Sequence, residues 1–360
     1  MKIVLGIVGK RLFSSSVNPI PKQPNHNGSL LKKMAALVGC ATITGLSWRY
    51  YEQNYYQTEL SREYFTKYRI SRKQTIDQDH YLLQLQPLKP QRTNLWSTMG
   101  SSKLWSVEVK QPEIMVVRSY TPLPLLLSKN GSVDVLKDGE NANGALTFYI
   151  KKYQQGEVAR WINSLPIGHV LELRGPYIEY EIPENPGEVK RDRSFLWDDE
   201  LEAVSQKFQY QPIDLLFLSG GTGIVPLLQM TLTESPFRGK IAAFHSCKSK
   251  TELGPLEGIL NKLSSNGRIK LHLYESQDAS KSFRNNLNSI KKLIPAPYPY
   301  NGPQPFKSID PQLKPVLALV CGPEGFISTV SGAKLDSMQG PVSGILGSRG
   351  WNNSNVYKLS

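Results

Sequence analysis

A change of hydrophobic rhythm near Pro183 divides this sequence into two kinds of structure. From about Tyr64 to Tyr180, apolar residues alternate with polar ones in short runs bounded by turn residues. YFTKYRIS, HYLLQLQPL, LWSVEVK, EIMVVRSYT, LTFYIKKY and HVLELRG are six strand candidates, and KNGS and KDGENANG are turns among them. With one helix expected near EVARWINSL, this pattern predicts a closed six-stranded antiparallel barrel. Beyond the change, IDLLFLS, IAAFHS, IKLHLYE and PVLALVC alternate with helical segments at 223–232, LEGILNKLSS, FRNNLNSIKKLI and EGFISTVSGAK. That alternation predicts a parallel sheet covered by helices, an α/β domain. The expected division is a barrel over 60–185, a charged linker or loop insertion over 186–211, and the α/β domain over 212–360. The Pro-rich stretch PAPYPYNGPQPFKSIDPQLKP reads as an extended surface loop.

Charge separates a third region. The chain carries 43 Lys+Arg and 30 Asp+Glu, a net +13, yet the first carboxylate is Glu52. Residues 1–51 hold seven of the basic side chains, so the remainder is only mildly basic, and no nucleic-acid-binding module accompanies it. The opening MKIVLGIVGKRLFSSSVNPIPK has the cationic, Ser-rich, acid-free composition of a mitochondrial presequence. MAALVGCATITGLSW follows, flanked by Lys32 and Lys33 on one side and by Arg49, Tyr50 and Tyr51 on the other. Its flanks predict a single membrane anchor over 32–51, with residues 1–31 a presequence and matrix-side segment and the later domains in the intermembrane space. An uncharged run this short also fits a buried or re-entrant helix. Cys40, Cys247 and Cys321 form no disulfide framework, and neither they nor the five scattered histidines have metal-ligand spacing.

Three motifs carry candidate chemistry. In RSYTPLP, alternation puts Arg118 and Tyr120 on one face, with Ser119 between them and Thr121 on the other face unless the strand bends. Such residues suit a diphosphate, an aromatic ring and a ring nitrogen respectively for Arg118, Tyr120 and Thr121. In SGGTGIVPLLQM, a strand enters Gly220, Gly221, Thr222 and Gly223 and leaves as a helix with Pro226 in its first turn. Glycines there permit a tight turn and let backbone approach a phosphate. In VCGPEGFI, Cys321, Gly322 and Pro323 end the last expected strand, where open α/β sheets bind ligands.

The order R-x-Y-T, G-x-x-A with R-G-P, G-G-T-G-x-x-P and C-G-P resembles the ferredoxin–NADP reductase superfamily, most closely its NADH–cytochrome b5 reductase branch. The resemblance covers roughly residues 60–360 and implies a barrel carrying FAD and an α/β domain carrying a nicotinamide nucleotide. It implies that Arg118, Ser119, Tyr120 and Thr121 hold the flavin half. It likewise implies that Gly156, Glu157, Val158 and Ala159 cradle the diphosphate, with Gly175 and Pro176 nearby, and that Lys151 helps place the nucleotide. Gly220, Gly221, Thr222, Gly223, Pro226, Gly322 and Pro323 then face the nucleotide, with Thr121 and Cys321 beside the hydride path. The presequence, the anchor and the stretches TESPFRG and GWNNSNVYKLS further resemble a subgroup of mitochondrial inner-membrane flavoproteins serving cytochrome c import and haem attachment. That resemblance implies an NAD(P)H oxidoreductase that delivers electrons to haem iron, with cytochrome c haem lyase and apocytochrome c as partners.

The sequence departs from the reductase pattern at three places. Tyr177 and Ile178 stand where a further glycine is usual, Ala159 replaces a serine, and Leu359 lies near the usual terminal aromatic. Those departures motivate a second reading, a non-catalytic assembly factor with a reductase fold; a general cytochrome-b5-type reductase is a third. HSCKSKT supplies Lys248 and Lys250 and no carboxylate before Glu252, which leaves NADH and NADPH both open as donors.

Overall fold

The computed structural model describes residues 26–51, 58–154, 156–182, 213–234, 236–298, 310, 312–335 and 338–359. The expected presequence through residue 25, the 186–211 linker and most of the Pro-rich loop lie outside the described residues. The chain divides into two compact units, Met1–Tyr55 and Tyr56–Ser360.

In the first unit, α1 (His26–Tyr51) is one helix of 26 residues. Leu37, Val38, Ile43, Leu46 and Trp48 are exposed along it. Glycine and threonine interrupt this apolar stretch; the Thr42 hydroxyl donates back to the Val38 carbonyl at 3.0 Å. No helix among the described residues is long and apolar enough to cross a membrane.

The second unit holds both sheets. β1 (Thr66–Thr75), β2 (His80–Pro87), β3 (Lys103–Gln111), β4 (Val116–Tyr120), β7 (Leu146–Lys151) and β8 (Val170–Glu181) form one six-stranded sheet in the order β4-β3-β8-β1-β2-β7. Every neighbouring pair in it is antiparallel. All six strand candidates belong to it. The expected barrel closure does not form as a ladder: among the described residues the backbone pairing that reaches β7 from the β4 side is one isolated bridge, from Leu123, beyond the end of β4, to Thr147. Pro122 and Pro124 follow β4 and lack the N–H groups that a continued ladder needs. The sheet is therefore a half-barrel, and the small hairpin β5 (Leu125–Leu127) and β6 (Val133–Val135) fills part of the gap.

A short helix, α2 (Leu95–Met99), is N-capped by the Asn94 side chain. The expected amphipathic helix is α3 (Glu157–Ser164), whose Val158, Ala159 and Ile162 enter the antiparallel core. Lys73 closes its C terminus by donating to the carbonyls of Ile162, Asn163 and Leu165 at 3.1, 2.8 and 2.7 Å. An ammonium there satisfies orphan carbonyls and opposes the negative end of the helix dipole.

The parallel sheet runs β11 (Ile269–Glu275), β10 (Ile241–Cys247), β9 (Asp214–Gly220), β12 (Pro315–Cys321), β13 (Val356–Lys358). Helices α4 (Val225–Leu232), α5 (Pro255–Ser265), α6 (Leu287–Leu293), α7 (Glu324–Ser331) and α8 (Gly344–Gly347) accompany it. β13 is a fifth strand that the alternation did not signal, because three residues are too few to carry a period. One hydrophobic cluster spans both sheets, joining Leu82, Leu104 and Leu123 to Leu215, Phe217, Leu228 and Leu359. Their shared core fixes the two sheets against each other, and the site forms where they meet.

Candidate functional site

A cleft of about 210 Å³ opens between the end of β4, the end of β7 and the C-terminal ends of β9 and β12. Ser119 and Thr121 line it from the antiparallel side; Thr222, Gly223, Pro226, Cys321, Gly322 and Pro323 line it from the parallel side. Alternation persists past the formal end of β4, so these two hydroxyl side chains share a face and Arg118 and Tyr120 take the other.

Tyr120 packs edge-on against Phe148, with ring centroids 6.3 Å apart, in the cluster that also buries Val158 and Ala159. Burial pushes its phenol up to about 12, against the opposing pull of Arg118, so it is neutral at physiological pH. Arg118 is exposed and donates to the Val117 carbonyl. The N terminus of α3 packs into the same cluster as Tyr120 through Val158 and Ala159. Gly156 is its N-cap, no side chain caps the turn, and the first amides of a helix have no partners within it. Such a terminus favours an anion, so Gly156, Glu157, Val158 and Ala159 with Arg118 fit a diphosphate.

Gly175 and Pro176 do not line the cleft. Gly175 has φ +146, and a Cβ there would lie 3.1 Å from Val107 Cγ1 and 3.2 Å from the Ser106 carbonyl. Its N–H donates to Ser61 O at 2.8 Å, and the Pro176 carbonyl accepts from Arg62 Nε. A bulkier residue at 175 would push β8 off β3, which accounts for the glycine without any ligand.

The glycines after β9 also divide. A Cβ on Gly223 would meet Cys321 O at 2.3 Å, and one on Gly322 would meet Gly220 N at 2.9 Å. Gly220 is crowded by Phe326 and Pro323. These residues let the ends of β9 and β12 touch. Gly221 differs: it has φ +55 and nothing within 4 Å of its Cβ position, so its backbone is open to a ligand.

Cys321 is buried, and burial raises its thiol to about 12. It therefore faces the cleft as a neutral, polarizable group and not as a thiolate nucleophile. Lys151 reaches from β7 to Glu252, with Nζ 3.7 Å from Oε1. Glu252 also accepts the Lys248 N–H at 2.9 Å. Leu359 is 3 % exposed inside the shared core, and Tyr357 packs at a tilt against Tyr180 with ring centroids 4.2 Å apart. Neither terminal residue lines the cleft.

Sequence reasoning missed Tyr149, Tyr153 and Val225, which also line the cleft. Tyr149 was within reach, since alternation puts it on the same face of β7 as Lys151. Its hydroxyl donates to the Glu252 carbonyl at 2.8 Å, a second tie between the sheets. Gln229 in α4 was missed as well. Its Nε2 donates to the carbonyls of Trp105 and Pro122, both at 3.0 Å, and its Oε1 accepts the Trp105 N–H at 3.0 Å. That amide pins the segment carrying Thr121 to the helix that follows the glycine turn.

Residues 67–182, which span the half-barrel strands from β1 to β8, match the oxidoreductase FAD-binding domain family. More closely, the chain belongs to the family of the cytochrome c mitochondrial import factor CYC2 of Saccharomyces cerevisiae, to which it is 48% identical over 92% of this chain and 94% of that protein. An uncharacterized FAD-binding protein of Schizosaccharomyces pombe, C17H9.12c, is 25% identical over 92% of this chain and 100% of its own. NADH-cytochrome b5 reductase 2 of Scheffersomyces stipitis is 24% identical over 79% and 78% of the two chains.

Proposed function

We propose that this protein is an FAD-dependent NAD(P)H oxidoreductase that delivers electrons to haem iron in support of cytochrome c import and haem attachment. The observation that carries this reading is the cleft itself, where Thr121 of the R-x-Y-T strand faces Thr222, Gly223 and Cys321 of the parallel sheet. In the proposal, Arg118 and the α3 N terminus hold the FAD diphosphate, Tyr120 covers the ring, and the Thr121 hydroxyl bonds its edge. Bound there, FAD would supply the conversion of a two-electron nicotinamide donor into one-electron delivery. Thr222, the open Gly221 backbone and Lys151 would hold the donor; neutral Cys321 would keep that end of the cleft dry and uncharged.

Kinship with the yeast cytochrome c import factor supports a role in cytochrome c import; haem as acceptor, and apocytochrome c and cytochrome c haem lyase as partners, are part of the proposal. We also assign the chain to the mitochondrial inner membrane, with the basic opening residues as presequence and α1 as the membrane-held segment. The exposed apolar side chains of α1, between Lys32–Lys33 and Arg49, support that assignment.

An anaerobic absorbance titration of the FAD-loaded protein tests the reading. Addition of NADH or NADPH is expected to bleach the oxidised-flavin bands, and haemin added next is expected to turn ferrous. A flavin that neither nucleotide bleaches favours the second reading, a non-catalytic assembly factor. The observation behind that alternative is the burial of Leu359, which leaves the cleft without a C-terminal aromatic. Faster turnover with cytochrome b5 than with haemin would instead favour a general b5-type reductase.

A further inference from the structure

The C-terminal end of β10 decides what the far end of a nicotinamide dinucleotide meets. β10 lies parallel to β9, with Ser246 beside Gly220, so the chain leaving Cys247 emerges next to the glycine turn. Ligands of an open parallel sheet lie along this edge. A dinucleotide whose nicotinamide occupies the cleft would extend its adenosine ribose toward residues 248–252.

Carboxylates are present at this turn, but the turn has consumed them. Glu252 accepts the Lys248 N–H at 2.9 Å, pairs with Lys151 at 3.7 Å and is only 5 % exposed. Glu275, at the end of neighbouring β11, accepts the Lys250 N–H at 3.1 Å and pairs with Lys281 at 3.8 Å. Asp278 accepts from Ser280 N and pairs with Lys281 at 3.4 Å. Each acid therefore already accepts from the protein's own donors, and Glu252 is buried as well. The same bonds set the shape of the turn. With their amides turned in to Glu252 and Glu275, Lys248 and Lys250 are left exposed on either side of Ser249.

We infer that this turn reads a ribose 2′-phosphate, and that the nucleotide the chain prefers is NADPH over NADH. The inference rests on the proposed reductase reading for the nucleotide's role as electron donor. Two ammonium groups and a hydroxyl suit a phosphate dianion, whereas they offer a neutral hydroxyl little that water does not. Because the lysines are exposed, salt screens their contribution, and the expected preference is moderate, about tenfold.

Calorimetric titration of the FAD-loaded full chain with 2′,5′-ADP and with 5′-AMP tests this directly. The 2′-phosphorylated fragment is expected to bind about tenfold tighter at low ionic strength, with the ratio shrinking as salt is added. Equal affinity overturns the inference. In the double variant Lys248→Glu, Lys250→Glu the ratio is expected to fall to one or below; an unchanged ratio in a variant that retains flavin also overturns it. Where that variant fails to fold, the wild-type ratio decides. Flavin bleaching by each nucleotide, run in parallel, separates the two claims. Bleaching by both with equal fragment affinity leaves the reductase reading standing and removes the NADPH preference. Tighter 2′,5′-ADP binding with no bleaching by either supports the turn's phosphate selectivity and removes the reductase reading.

Discussion

The antiparallel sheet reaches the cleft with side chains: Ser119 and Thr121 from the end of β4, Tyr149 from β7 and Tyr153 just beyond it. On the parallel side Gly223 and Gly322 stand among Thr222, Pro226, Cys321 and Pro323, and these two glycines let β9 and β12 meet backbone to backbone. The difference follows from geometry. An antiparallel strand displays alternate side chains along its length, whereas a parallel sheet offers its C-terminal edge, where chain ends must crowd together before helices begin. One side can exchange side chains at modest cost, and the other cannot accept even a methyl group at some positions.

Gln229 joins the two sides and gives the largest expected effect. Replacing it with leucine leaves Trp105 N, Trp105 O and Pro122 O without their partners in a dry interface. At ~1–3 kcal/mol for each orphaned buried group, partly offset by relaxation, a loss of about 4 kcal/mol is expected in urea denaturation. A change under about 1 kcal/mol would show that the sheets are held by their shared apolar core alone.

His245 probes the parallel side by pH. It is fully buried on β10, its Nδ1 lies 2.9 Å from the Ser219 hydroxyl, and its Nε2 has no partner. Burial lowers its pKa from 6.5 to about 4. The unfolded chain takes up a proton below 6.5 that the folded chain refuses, so stability falls as pH drops from about 6.5 to 4 and is unaffected above that window. A loss on the order of 3 kcal/mol across the window is expected. At Asp77 burial opposes the carboxylate but hydrogen bonds from Asp79 and His80 outweigh it; its loss comes as pH falls further, through the range below the ordinary 3.8, beneath the histidine's window. Comparing the pH dependence of melting in wild type and His245→Phe isolates the histidine; equal slopes would refute its share.

Much of this architecture was legible in the residues, and the misses have physical causes. Short runs bounded by turns located all six strands of the half-barrel; burial alternates along parts of β1, β3 and β8, whereas β2 and β7 are buried on both faces. The incomplete closure was hidden, although Pro122 and Pro124 signalled it, because loss of a ladder at one seam leaves the hydrophobic pattern unchanged. Arg118, Tyr120 and Thr121 were found as a motif, and alternation separated Thr121 from the other two. Gln229 was invisible because a lone amide in the apolar segment IVPLLQMTL carries no period, and its partners are more than a hundred residues away. Lys151 was flagged, but its partner Glu252 lies across the sheet junction, where sequence spacing gives no distance.

The glycines give the smallest and most discriminating contrast. G-G-T-G reads as a phosphate loop in which every glycine serves the ligand, yet only Gly221 has open space at its Cβ position. Gly223→Ala would place a methyl group 2.3 Å from Cys321 O and 2.6 Å from its carbonyl carbon, both backbone atoms that move only with β12. Overpacking of that kind costs about 3 kcal/mol. Gly221→Ala meets no atom, and its expected cost is the left-handed backbone alone, about 1 kcal/mol at φ +55. Denaturation of the two variants without added nucleotide should therefore separate them by about 2 kcal/mol, Gly223→Ala being the weaker. Nucleotide affinity should rank them the other way once each is compared at equal folded fraction, because the alanine methyl at 221 points into the space the ligand would use. Equal destabilisation would mean that β12 gives way readily, and that the parallel side is as tolerant as the antiparallel one.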